Sequence, residues 1–283
     1  MTSEVTVFPY LEELSLTRCP VLRNAPSRFP SLRELWISEC QGLSSIGVPT
    51  SLQVLEIHYC GSLTSIPISK GLPSLRELRI RYCDGLSGLP DLHYCPSLQY
   101  LSVGYCGKLK SLTTGLRFLD CLEKLKLGPF WEELDTFPDF QVPSQQLVSL
   151  ELNGWPKLKS VPQPIIHFTS VEELTIRDFN GVEDLPEWLG NLTSVRKLHV
   201  LDCENVKYLP SLKAMRGLTK LETLRIARCP LLEEWPKISH VPNIDCKLQT
   251  DCLVMMVTLY EDWEKLNLVR IANGSDPRRS TPS

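Results

Sequence analysis

Hydrophobic positions along this chain follow a unit that returns every roughly 20 to 26 residues. The pattern L-x-x-L-x-I/L/V occurs ten times, with its central leucine at Leu14, Leu35, Leu55, Leu78, Leu101, Leu125, Leu150, Leu174, Leu198 and Leu224. Around each leucine, apolar and polar residues alternate. Leu78 and Ile80 share one face while Arg79 and Arg81 take the other, which is the period of a strand. The alternation is short. Leu75, Cys83, Leu86 and Leu89 complete the apolar set at spacings that neither a strand nor one long helix accommodates. Each unit therefore predicts one short strand and a stretch of chain that coils back beneath it. Six inward side chains at ~1.5 to 3 kcal/mol each do not offset ~1 to 2 kcal/mol of backbone entropy for each of some twenty residues. A unit on its own is unstable, and stacking with ladder hydrogen bonds must supply the difference.

The period lies in the range of leucine-rich repeats. It predicts an α/β solenoid, a curved right-handed horseshoe with a parallel β-sheet on the concave face. Prolines and glycines in "GLSGLPDLHYCP" and its counterparts leave the convex side mostly irregular, with one helical turn expected at "LPEWLGNL", Leu185 to Leu192. About ten repeats fill residues 1–245. The first, with Phe8, Leu11, Leu14 and Leu16, starts almost at Met1 without a polar cap, so its open end is expected to be covered, either by the rest of a longer receptor or by a partner. Residues 246–283 form a tail. Leu253, Met256, Val257, Tyr260, Trp263 and Leu266 recur at helical spacing and predict a helix over 252–271 followed by disorder; the tail reads either as a cap or as a non-native end.

Seven of the ten units close the strand with a cysteine: Cys19, Cys40, Cys60, Cys83, Cys106, Cys203 and Cys229. The others carry Phe130, Trp155 and Phe179 there. A slot that takes either a thiol or an aromatic ring is an inward, apolar one, so the thiols read as core fillers. C-x-x-C pairs are absent, and Cys246 and Cys252 have no partner pair, which argues against zinc. The eleven cysteines, with no basic and apolar leader at "MTSEVTVFPYLEEL", fit reduced thiols in a cytoplasmic setting, with the nucleus also open.

A net charge of -3 leaves no basic excess for phosphates, so nucleic acid is not an expected partner. The longest apolar run, Cys252 to Tyr260, is too short to span a membrane. His58, His93, His167, His199 and His240 fall in different repeats and beside no recognisable nucleophile motif, so no catalytic site and no cofactor is expected.

At "LPEWLGNLTSVRKLHVLDCENVKYLPSLKAMRGLTKLETLRIARCPLLEEW" the units resemble the repeat region of plant intracellular disease-resistance receptors, the coiled-coil nucleotide-binding class. "CPLLEEW" and "HVPNI" are similar to that family's last repeats. The resemblance implies a protein-recognition module that senses a pathogen effector or a guarded host protein, or restrains a nucleotide-binding switch. It also implies a limit, because no G-x-x-x-x-G-K-[ST] phosphate loop is present and the switch itself is absent here. Two other readings stay open: the substrate-binding repeats of a ubiquitin-ligase receptor, and an enzyme regulator or inhibitor subunit.

The candidate binding surface is the concave face, where outward residues of neighbouring repeats form columns about 5 Å apart. Trp36, His58, Tyr59, Arg79, Arg81, Tyr82 and Tyr105 share one outward phase on consecutive strands and have the aromatic and arginine content of protein-binding hot spots. Farther along, Glu151, Asp178 and Asp202 suggest an acidic half that contacts a different partner.

Overall fold

The computed structural model describes residues 8–25, 29–68, 71–112, 114–143, 145–233 and 242–247. Among these, the chain forms the strands β1 (Glu13–Thr17), β2 (Asn24–Ala25), β3 (Glu34–Ser38), β4 (Ser45–Ile46), β5 (Val54–His58), β6 (Glu77–Arg81), β7 (Tyr100–Gly104), β8 (Lys124–Leu127), β9 (Ser149–Asn153), β10 (Glu173–Arg177), β11 (Lys197–Leu201), β12 (Thr223–Ala227) and β13 (Asn243–Lys247). Apart from β2 and β4, which pair with each other, they build one 11-stranded parallel sheet in chain order. This is a leucine-rich-repeat solenoid. The unit runs to Lys247 with an eleventh strand beyond the ten leucine anchors. The expected helix over 252–271 lies outside the described residues, as does Cys252.

Register explains the leucines. Leu35, Leu55, Leu78, Leu101, Leu125, Leu150, Leu174, Leu198 and Leu224 stand directly opposite one another on successive strands. Each is at most 2% exposed. On the edge strand β1 the corresponding Leu14 and Leu16 are only partly buried, while Phe8 is 52% exposed. Two turns flank each strand and make the chain coil. In the fourth unit, Leu75 N–H donates to Leu72 O at 3.1 Å before the strand, and Leu86 N–H donates to Cys83 O at 3.0 Å after it. The same pair of turns recurs along the solenoid, so the backbone donors that leave the sheet are satisfied locally.

The corner after each strand carries the decisive backbone feature. Arg18, Glu39, Tyr59, Tyr82, Tyr105, Asp178, Asp202 and Arg228 all have φ between 55° and 58°, in the left-handed region. Strict alternation would turn Tyr82 inward and Cys83 outward. One left-handed residue reverses the phase, sending Tyr82 out and Cys83 into the core. The conformation costs roughly 1 to 2 kcal/mol per residue, and cross-repeat bonds offset it. Tyr59 N–H donates to Arg81 O at 3.1 Å, Tyr82 N–H to Gly104 O at 3.2 Å and Asp202 N–H to Ala227 O at 2.9 Å. Pro129 occupies this place after β8, and its ring cannot adopt a positive φ. Gly128, one residue earlier, takes it instead at φ 82°, and a Cβ there would lie 2.1 Å from Asn153 O.

The thiols are more than filler. Cys40, Cys60, Cys83, Cys106, Cys203 and Cys229 are buried, Cys19 is half-buried, and all seven are free. Each Sγ donates to the carbonyl two residues back, at 3.3 to 3.6 Å. That carbonyl has two lone pairs, and in the case of Arg81 O the Tyr59 amide occupies the other. Burial pushes the thiols of Cys60 and Cys106 up to about 11 and that of Cys83 up to about 12.

Where the slot holds Phe130, Trp155 and Phe179, the loop between β8 and β9 contributes its own rings. Phe137 stacks on Trp155 with centroids 5.5 Å apart and meets Phe130 edge-on at 5.6 Å. Trp155 Nε1 donates to Leu134 O at 2.7 Å, which fastens the loop. Elsewhere the convex side carries 3-10 turns at Leu92–Tyr94, Thr114–Phe118, Gln163–His167 and Glu187–Asn191, and one short helix, α1 (Leu212–Gly217), capped by Ser211. Among the described residues no helix is long and apolar enough to cross a membrane.

Two outcomes test this account. Glu39→Gly should be more stable than Glu39→Val by about 1 kcal/mol in urea unfolding, because both lose the carboxylate that pairs with Arg18 and only glycine relieves the left-handed corner. For the thiols, the folded state holds the proton more tightly than the unfolded chain, whose thiols ionise near ~8.5. Their contribution is complete below that pH and declines as the pH rises toward the folded values of about 11 to 12. Urea midpoints taken across this window should fall with pH, and less steeply in Cys83→Ala.

Candidate functional site

The register sorts the concave face into columns. The middle column runs Trp36, Glu56, Arg79, Ser102, Lys126, Glu151, and the strand-end column runs Ser38, His58, Arg81, Gly104. Tyr59, Tyr82 and Tyr105 form a third column at the left-handed corners. This corrects the expectation that the tyrosines occupy outward strand positions: they lie one residue past the strands and face outward because the backbone reverses phase there. Alternation within a strand could not have placed them.

The three tyrosine rings stack with centroids 4.4 Å and 4.5 Å apart and planes within 15°. That spacing is the interstrand distance, about 4.8 Å, tightened to ring contact. Their faces are spent on one another except at the two ends of the stack, so the edges meet solvent, and Tyr59 remains 44% exposed. Burial raises the pKa of the Tyr105 phenol, with Tyr82 and Asp178 adding to the effect.

Beside the stack, the charges are largely held in place. Arg79 Nη1 donates to Glu56 Oε2 at 3.1 Å, and Nη2 lies 2.7 Å from Glu77 Oε2. The same guanidinium lies 4.7 Å from the centre of the Tyr100 ring. His58 Nε2 sits 3.3 Å from Glu56 Oε1 without a hydrogen bond. Burial holds this imidazole below its ordinary pKa; Glu56 opposes the shift, while Arg81 and Arg79 reinforce it. Arg81 donates through Nε and Nη2 to the buried Ser102 hydroxyl, at 3.2 and 3.0 Å. His58, Tyr59, Arg79, Arg81, Tyr82 and Tyr105 thus form one contiguous surface, with Trp36 a repeat away beside Glu56. Tyr100 and Ser102 belong to the same surface. Tyr100 shares the outward phase of Glu77 and was legible by alternation, whereas nothing in the sequence marks Ser102 as the acceptor of Arg81.

A hollow of ≈ 400 Å³ opens at the amino ends of β6 to β9, lined by Glu77, Arg79, Tyr100, Lys124, Lys126 and Glu151 among others. Acids and bases face each other across it, so it selects for neither sign. The acidic half expected at Glu151, Asp178 and Asp202 is also corrected. Lys126 pairs with Glu151, Arg177 pairs with Asp202 and lies 3.8 Å from Glu151, and Arg228 pairs with Asp202. Among the described residues no three His, Cys, Asp or Glu side chains converge as a metal would require.

Comparison with known proteins places the repeats. Residues 167–229 match the family described as R13L1/DRL21 LRRs. No curated protein matches the sequence. Among solved structures, the leucine-rich repeat domain of the type III effector XopL superposes with a TM-score of 0.53 at 25% identity, covering 85% of this chain and 78% of that one. An internalin (inlF) from Listeria monocytogenes gives 0.47 at 16% identity, over 78% of this chain and 69% of the other. YopM from Yersinia enterocolitica gives 0.47 at 19%, over 80% and 49%. The chain is a leucine-rich-repeat domain, an architecture of protein interaction.

A double-mutant cycle on Tyr59→Ala and Tyr82→Ala, read by urea unfolding, should give a coupling of about 0.5 to 1.5 kcal/mol, the worth of one stacked pair. Additive losses would mean that the rings pack independently.

Proposed function

We propose that this domain is the protein-recognition module of a plant immune receptor of the coiled-coil nucleotide-binding class, acting in the cytoplasm or nucleus. It senses a pathogen effector or a guarded host protein through its concave face and restrains a nucleotide-binding switch that this chain does not carry. The observation that carries the reading is the match of residues 167–229 to the R13L1/DRL21 repeats. The concave surface supports it, since stacked tyrosines and fixed arginines present a rigid surface that loses little entropy on binding. The irregular convex side, with one six-residue helix among the described residues, favours this reading over a ubiquitin-ligase receptor, whose repeats continue into regular helices.

The test mixes the purified domain with the nucleotide-binding module of a receptor that carries repeats of this family. Binding together with slowed nucleotide exchange is expected. Tyr82→Ala or Arg79→Ala should weaken the binding of an effector or guarded protein by about 2 kcal/mol while leaving the fold intact. Failure to engage any such module, together with stoichiometric binding to a ubiquitin-ligase scaffold, would reverse the reading.

A further inference from the structure

Between β6 and β10 nearly every charge on the concave face has a counter-ion. Arg79 is shared by Glu56 and Glu77, Lys126 and Arg177 hold Glu151, Lys197 holds Glu173, and Arg177 with Arg228 holds Asp202. Lys124 has no counter-ion among the described residues, but it is exposed. Two half-buried charges differ from these. Arg81 has no carboxylate within ion-pair reach among the described residues, and Nε and Nη2 rest on the neutral Ser102 hydroxyl. Asp178 has neither a hydrogen bond to its carboxylate nor an ion pair among the described residues. Burial, with the neighbouring Asp202 adding to it, raises its pKa against the lowering influence of Arg177 and Arg228, whose guanidinium groups pair with Asp202 instead.

Both residues lie along the carboxyl ends of the strands, where the chain is at its barest. Gly104 and Gly128 follow Arg81 in the strand-end column, and Pro129 and Gly154 separate Tyr105 from Asp178 in the corner column. A Cβ at Gly104 would fall 2.2 Å from Gly128 O, so neighbouring main chains touch there and no side chain stands on the surface. The result is a low saddle, with Arg81 and Tyr105 at one rim and Asp178 at the other. Tyr105 is within electrostatic reach of both Arg81 and Asp178, and of Arg177.

We infer that this saddle is the reading site for a partner segment that crosses the strands and carries an acidic side chain against Arg81 and a basic one against Asp178. The inference rests on the concave face being the protein-binding surface, and it adds the partner's chemistry and polarity: acid toward the first repeats, base toward the last. Four strand steps of about 4.8 Å separate the two sites along the sheet. Side chains leaning inward shorten the span, so an extended segment rising ~3.3 Å per residue sets its acid and base about four to six residues apart. The partner's charges would supply the counter-ions that the face itself lacks, at positions where partial burial makes each pair count for more than at the rim.

A random-peptide library displayed on phage and selected against the whole chain tests this. Wild-type selections should yield peptides with an acid and a base at that spacing. Arg81→Gln should erase the preference for the acid alone, and Asp178→Asn the preference for the base alone, each weakening a wild-type peptide about tenfold. The charge-reversed pair Arg81→Glu with Asp178→Lys should select the opposite order, an effect that a merely structural role would not produce. Peptides that lose binding in Tyr82→Ala yet show no charge pattern, or ignore the reversal, overturn the inference and leave the concave surface standing. Peptides indifferent to Tyr82→Ala and to both charge variants, or a library that yields no binder, count against the concave surface as well.

Discussion

One constraint governs this molecule: the alternation of a strand must be broken at its end, and in eight of the ten repeats the same residue breaks it. A five-residue strand with two inward side chains is too small to close a core. The chain gains a third inward group only by placing the next residue in the left-handed region, where eight non-glycine residues sit at nearly the same φ. The turn closed by Leu86 N–H on Cys83 O follows from it, as do the inward thiol and its bond to the strand-end carbonyl. Small size and a donor suit cysteine to the slot, because the group must fit beneath the corner and satisfy the second lone pair of a carbonyl already used by the preceding layer.

The same constraint creates the surface. A left-handed corner residue points outward and stands one interstrand step from its counterparts, so whatever occupies the column must tolerate its own neighbours at about 4.8 Å. The column meets that demand by stacking aromatic rings, as in Tyr59 to Tyr105, and by alternating sign, as in Arg18 with Glu39 and Asp202 with Arg228. Like charges appear once, at Asp178 and Asp202, and there Asp202 takes the arginines while Asp178 is left without one. Repeat stacking thus turns a composition with almost balanced charge into a face whose few unbalanced positions stand out.

The aromatic block in the middle of the chain shows what happens when the slot changes size. Phe130, Trp155 and Phe179 are larger than a thiol and cannot bond the carbonyl as a thiol does. The structure answers with the loop between β8 and β9, whose Phe137 and Phe140 join them in the core. Here the corner column also lapses, to Pro129 before Phe130 and Gly154 before Trp155.

Period and alternation alone determined the repeat, the short parallel strands, the inward leucines and the buried thiol slot, because each depends on spacing within one unit or on equivalence between units. Leu78 can be placed in the core without knowing what lies above it. The sequence did not carry the outward turn of the tyrosines, which needed a backbone conformation that alternation does not encode, nor the pairing of Arg177 and Arg228 with Asp202, residues 25 and 26 positions apart or adjacent only through the sheet. The acidic half read from Glu151, Asp178 and Asp202 disappeared for that reason: charge is legible residue by residue, but its compensation is decided by which side chains the stacked layers bring within ion-pair reach. Only the tertiary structure could show that, among the described residues, the half-buried Arg81 and Asp178 received no such neighbour.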